Sequence, residues 1–212
     1  GISNVTLLRP GEKARGWDTG PGNTMLDLWY RKSGNEGNYD RGGEFAAEGT
    51  ISRALLDDFL REPYFRKKPP KSTGRELFNL SFIERSLENL RAEGTGLPSP
   101  AGTERTLLRL TAITVAMSIK GELREGEQAL ILAAGGGVHN ALLMADLREC
   151  LEDLSVNASL GTAEDAGIDS DFLEAEAFAW LAWCRVNGVR PQLSSVTGAK
   201  EDSVPGALYL GR

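Results

Sequence analysis

The sequence predicts an α/β fold. Several segments carry apolar residues at helical spacing, short β-branched or apolar runs lie between them, and glycine turns stand where runs give way to helices. With 212 residues the chain can bury a sizeable core. Its 41% apolar and 25% charged residues are those of an ordinary globular protein. The net charge of −6 argues against nucleic acid as a partner, because phosphate neutralisation needs a clustered basic surface. No apolar run is long enough to span a bilayer, and the first residues lack a basic stretch followed by an apolar one. Cys150 and Cys184 are far apart and outside any C-x-x-C frame, which fits free buried thiols in a reducing, cytoplasmic setting.

Gly1 to Leu8 reads as a strand, with Ile2, Val5 and Thr6 β-branched. Pro10 to Lys13 is a turn, and Ala14 to Trp17 a returning strand. The chain opens on a strand with no lead-in, so it reads as a piece of a longer protein. Gly16 to Asn23 (GWDTGPGN) is expected to be a tight turn leading into a helix over Thr24 to Arg31. Residues 33–49 form a glycine-rich surface loop. Thr50 to Leu60 reads as a helix capped by Thr50, with Ile51, Leu55, Leu56, Phe59 and Leu60 on one face. Thr73 and Glu76 fit a capping box that would start another helix, followed by Phe82 to Leu90.

Thr103 to Leu123 is apolar around most of its middle and reads as a buried helix. Gln128 to Ala134 fits a buried strand; Gly135-Gly136-Gly137 then turns into a helix over Ala141 to Leu151. Val156 to Leu160 is a further strand, and Thr162 to Asp171 an acidic loop. Phe172 to Val186 is a helix whose apolar run Ala177 to Cys184 marks it as buried. Gln192 to Gly198 is a turn, and Gly206 to Leu210 a last short strand.

Two glycine stretches and one helix carry candidate chemistry. Asp18 sits in the first stretch, where a helix N-terminus would favour an anion beside it; equally, Asp18 or Asn23 could simply cap the helix. The strand, triple glycine and helix at 129–151 form a phosphate or nucleotide cradle by context. It matches neither G-x-G-x-x-G nor the Walker pattern. Asn140 could bond a base or ribose, or cap the following helix, and His139 reads as a surface or packing residue. Glu174 shares a helix face with Phe178 and Leu181, and a buried carboxylate must be paired, protonated or in contact with a polar ligand. Glu176, in line with Trp180 and Trp183, competes for that role. Lys71 and Arg75 could grip an anion or be solvated. No set of metal-ligating residues is identified.

Taken together and in order, GWDTGPGN, PKSTGRELFN, LAAGGGVHN, EAFAWLAW and LSSVTGA resemble the anhydro-N-acetylmuramic acid kinase family of the acetate kinase, hexokinase and actin superfamily. The resemblance implies an actin-like, ribonuclease H-like lobe with a small mixed sheet packed by helices. It implies that residues 1–212 are the C-terminal lobe of a two-lobe sugar kinase, the N-terminal lobe being a partner outside this chain; a homodimer is compatible with it. It implies an ATP-dependent enzyme that opens the 1,6-anhydro ring of an amino sugar with water and phosphorylates O6 in cell-wall recycling. Asp18 then matches the general base, and Thr19, Gly20, Asn23 and Glu174 the sugar contacts. Gly135, Gly136, Gly137 and Asn140 match the nucleotide loop. ATP and Mg2+ are the implied cofactors, with the magnesium ligands expected in the other lobe. Two rivals stand beside this reading: an inactive nucleotide- or sugar-binding module of the same fold, and a hydrolase using Asp18 and Glu174 as a carboxylate pair.

Overall fold

A computed structural model describes residues 1–209. Its elements alternate as expected for an α/β chain, but the strands form two separate pairs instead of one mixed sheet. Strands β1 (Ile2–Leu7) and β2 (Arg15–Pro21) make an antiparallel hairpin, with Val5 opposite Trp17 and Ile2 opposite Pro21. The register shifts between Ser3 and Asn4. Strands β3 (Ala129–Ala133) and β4 (Ala158–Thr162) are parallel, joined through helix α6 (Ala141–Asp153).

The returning strand runs four residues beyond its expected end. Asp18, Thr19, Gly20 and Pro21 are therefore strand, and the turn shrinks to Gly22 before helix α1 (Asn23–Lys32). Neither Asp18 nor Asn23 caps that helix; Gly22 is its N-cap, without a side-chain bond. The Gly1 carbonyl accepts from the Gly22 and Thr24 N–H groups, at 3.0 and 3.2 Å. A Cβ on Gly22 would lie 2.8 Å from that same carbonyl, so only glycine lets the two backbones approach.

Helix α5 (Pro100–Lys120) is the centre of the molecule. Leu107, Leu108, Leu110, Ala112 and Ala116 are fully buried, and the helix packs against β1, β2, α1, α6 and the short helices α2 (Glu44–Ala47) and α3 (Arg53–Leu60). Its N-cap is Ser99, four residues upstream of the expected start at Thr103. Polar bonds register the hairpin on it: the Trp17 indole N–H donates to Ser118 Oγ at 2.6 Å, and Arg15 pairs with Glu122 at 2.6 Å. On its other side Arg105 and Arg109 pair with Asp146 of α6. A layer of aromatic rings fills the space below α3 and α4 (Leu80–Ala92), with Phe59 stacked on Phe82 and Phe65 on Phe78. The buried rings of Phe59, Phe78 and Phe82 each contribute about 1.5–3 kcal/mol of transfer free energy.

Several sequence expectations are corrected. Thr50 is replaced as cap by Ser52, whose hydroxyl accepts from Leu55 N–H. Thr73 and Glu76 start no helix; the Thr73 N–H bonds to the Asp18 carboxylate instead, and Asn79 caps α4. Within 33–49, residues 41–47 are helical and Ala46 is fully buried, because Asp40 accepts from the Phe45 and Ala46 N–H groups. Strand β3 is half-exposed, not buried: Leu130 and Leu132 point outward. Helix α7 (Leu173–Asn187) forms as expected but is exposed along most of its length, with Phe178 at 67% and Trp183 at 55%. Only Cys184 is buried on it. Both cysteines are free and buried, as expected. Residues 194–197 are a short helix, α8 (Ser194–Thr197). No strand forms from Gly206 to Tyr209, and the expected end at Leu210 lies outside the described residues. None of the described helices is long and apolar enough to cross a membrane.

Candidate functional site

Strand alternation decides what Asp18 can do. On β2 the side chains of Trp17 and Thr19 are buried, while Asp18 between them is half-buried and turned to the opposite face. There it opens on a cleft of about 240 Å³, lined also by Asn4, Thr6, Lys71, Ser72 and Val196. One carboxylate oxygen is fixed. Asp18 Oδ2 accepts from the Ser72 hydroxyl at 2.7 Å and from the Thr73 N–H at 2.9 Å. No donor reaches Oδ1 among the described residues. The backbone is pinned as well: Asp18 N–H donates to the Lys71 carbonyl at 3.2 Å, and the Tyr64 hydroxyl donates to the Asp18 carbonyl at 2.8 Å. Burial, helped by the nearby Asp18 charge, pushes the Tyr64 phenol up, so it stays a donor.

Lys71 reaches across the same face. Its ammonium lies 4.6 Å from the centre of the Tyr64 ring and donates to the Tyr64 carbonyl at 3.4 Å. Burial lowers its pKa; the Asp18 charge works against that shift and Lys67 adds to it. Arg75, also singled out from sequence, does not line the cleft.

The other named residues are placed as follows. The Thr19 side chain is 1% exposed and its hydroxyl is spent on Ser3, so it faces the interior and not the cleft. Gly20 makes room for packing, since a Cβ there would lie 2.8 Å from Phe65 Cε1. Gly135 has φ +83° and opens the turn into the short 3-10 segment Gly136–His139. Asn23, at the first position of α1, lies against this turn: Cβ atoms on Gly136 and Gly137 would sit 3.8 Å from its amide. Asn23 thus joins the two glycine stretches. Four residues lie between it and Asp18, so the two Cα atoms are no more than about 17 Å apart even in extended chain. Asn140 caps α6, its oxygen accepting from Leu143 N–H at 3.0 Å, and packs against Gly43. His139 is exposed and bonded to Asp171 at 3.0 Å. Glu174 is exposed on α7 and does not line the Asp18 cleft. The described residues contain no group of three or more metal-ligating side chains.

Ser72, Tyr64 and Lys71 were missed as partners of Asp18. Their signal was present only as a motif of unplaced role: PKSTGRELFN supplies Lys71, Ser72 and Thr73, and LSSVTGA supplies Val196. Three of the five quoted stretches therefore meet at one carboxylate, and a fourth, LAAGGGVHN, touches the helix that follows it.

Comparison with known proteins gives the family. A family profile described as anhydro-N-acetylmuramic acid kinase matches residues 1–211. The chain is 41% identical to the anhydro-N-acetylmuramic acid kinase of Haemophilus influenzae, covering 99% of this chain and 54% of that protein. It is 44% identical to the same-named protein of Pasteurella multocida, over 99% of this chain and 52% of that one. The chain thus spans about half the length of the curated relatives it matches. With the family profile matching residues 1–211 and relatives at 41–44% identity, the chain belongs to the anhydro-N-acetylmuramic acid kinase family.

Proposed function

We propose that this chain is the C-terminal lobe of an ATP-dependent kinase, of actin-like fold, that acts on 1,6-anhydro-N-acetylmuramic acid in the cytoplasm. The observation that carries the reading is Asp18, with one oxygen anchored and the other facing an open cleft. An ionised carboxylate held in this way can take a proton from water without turning its lone pairs elsewhere. Water adds to the anomeric carbon, the bond from that carbon to O6 breaks, and the water proton passes to Asp18 Oδ1. The released O6 carries the developing negative charge and attacks the γ-phosphorus of ATP in line, as the bond to the β-phosphate oxygen breaks and ADP leaves. Ser72 and the Thr73 N–H hold the base through both events, and the Lys71 carbonyl and Tyr64 hydroxyl hold its backbone.

The glycine turn at Gly135–Gly137 is the proposed phosphate cradle, held by Asn140 at its end and placed near the sugar site by Asn23. Thr19 and Gly20 shape the site from behind. The described residues offer no magnesium site; on this reading its ligands, and the closing half of the cleft, lie in the half of the enzyme that this chain does not cover. The exposed apolar side of α7, with Glu174 at its start, is the surface that half would cover.

The test is nucleotide dependence in the enzyme completed with that other half. Incubation with the anhydro sugar and ATP is expected to yield one phosphorylated, ring-opened product, and incubation without ATP is expected to yield none. Ring opening without ATP would instead favour the hydrolase.

A further inference from the structure

We propose that Lys71 is the counter-ion for the substrate's carboxylate, so that the Asp18 cleft selects an acidic amino sugar over its neutral counterpart. The inference rests on the kinase reading above, since muramic acid differs from glucosamine by a lactyl ether that ends in a carboxylate. Among the described residues, two charged groups line the cleft, Asp18 and Lys71. Asp18 has its own donors in Ser72 and Thr73 and does not form an ion pair with Lys71. The Lys71 ammonium is left with a long bond to a carbonyl and the face of the Tyr64 ring. These satisfy a half-buried cation less well than a carboxylate would. By contrast, Arg15, which shares β2 with Asp18, is already paired with Glu122 at 2.6 Å.

The geometry also ties Lys71 to the base. The Asp18 N–H donates to the Lys71 carbonyl, and Tyr64, under the ammonium, donates to the Asp18 carbonyl. A sugar held with its anomeric carbon at Asp18 and its acid at Lys71 would be fixed at two points. Orientation of that kind is what a water attack at one carbon requires.

The test uses two probes that differ only in the lactyl group, N-acetylmuramic acid and N-acetylglucosamine, titrated calorimetrically into the enzyme completed with its other half. The acid is expected to bind about tenfold more tightly, as for one partly buried charge-assisted bond. Lys71→Met should remove the preference and leave N-acetylglucosamine binding unchanged, which also reports an intact cleft. Lys71→Arg should restore part of the preference. Equal binding of both sugars by the parent, or a preference that survives in Lys71→Met, would overturn the role of Lys71 and leave the sugar site standing. Binding of neither sugar would overturn the sugar site itself.

Discussion

Asp18 and Glu104 are both carboxyls on the inner elements of this fold, and their surroundings give them opposite characters. Asp18 has two donors on one oxygen and a cleft before the other. Removing the side-chain donor with Ser72→Ala should lower kcat of the completed kinase about 10- to 100-fold, the range for one bond to a charged group, with little change in KM. Ser72→Thr should recover part of it. A rise in KM alone would make Ser72 a binding residue and not a positioning one. Glu104, on α5, is fully buried with neither oxygen bonded. Burial, with Asp40 and Asp27 adding to it, raises its pKa from 4.5 to about 9. The folded chain then holds a proton that the unfolded chain has lost between those values. Stability from this group is fully present below pH 4.5 and declines as pH rises to about 9, by up to ~1.4 kcal/mol per pH unit. Glu104→Gln should flatten that decline in denaturant titrations at pH 5 and pH 8, whereas an unchanged slope would mean that Glu104 is ionised.

Among the elements, those legible in the sequence were the ones whose signal is local. Helix α5 shows its apolar surface in its own residues, and α6 begins at a triple glycine followed by an asparagine cap. Asn140→Ala should therefore cost about 1 kcal/mol of stability, measured by urea denaturation, and a loss within error would show the cap to be dispensable. Other features depended on partners distant in sequence. The capping box at Thr73 is locally sound, yet its N–H is taken by a carboxylate 55 residues earlier. The expected glycine turn at Asp18 is strand because β1 pairs along it, with Asn4 opposite Asp18 and Ser3 opposite Gly20, while Lys71, Ser72 and Thr73 bond to Asp18 from elsewhere in the chain. Asp18 itself was legible as a candidate; the donors that hold its carboxylate were not, since no spacing rule links residues 18 and 72. Thr19 was misplaced for a simpler reason. Once the segment is a strand, alternation sends its hydroxyl to Ser3 in the interior.

For the molecule as a whole, apolar content was a sound guide to which helices seek cover and a poor guide to whether this chain supplies it. Helix α7 carries Phe178, Trp180, Trp183 and Val186 on its exposed surface, while β3 leaves Leu130 and Leu132 outward. Several large apolar side chains exposed on one helix are what a surface covered by another polypeptide presents. The chain spans about half the length of its curated relatives, and the proposed other lobe is the body that would cover them. Acrylamide quenching checks the exposure directly. Trp17 and Trp29 are buried, so Trp180→Phe combined with Trp183→Phe should remove most of the quenchable fluorescence of this chain. Quenching that persists would place the exposed rings elsewhere.

One substitution bears on the central assignment most directly: Asp18→Asn in the completed enzyme, with anhydro-ring opening, phosphate transfer and ATP binding measured side by side. If Asp18 draws the proton from the attacking water, both chemical events fall by at least about 100-fold, within the range for loss of a general base, while ATP binds as before. Near-normal turnover by that variant would contradict the assignment and leave the anchored carboxylate a structural strut between β2 and the loop at Ser72.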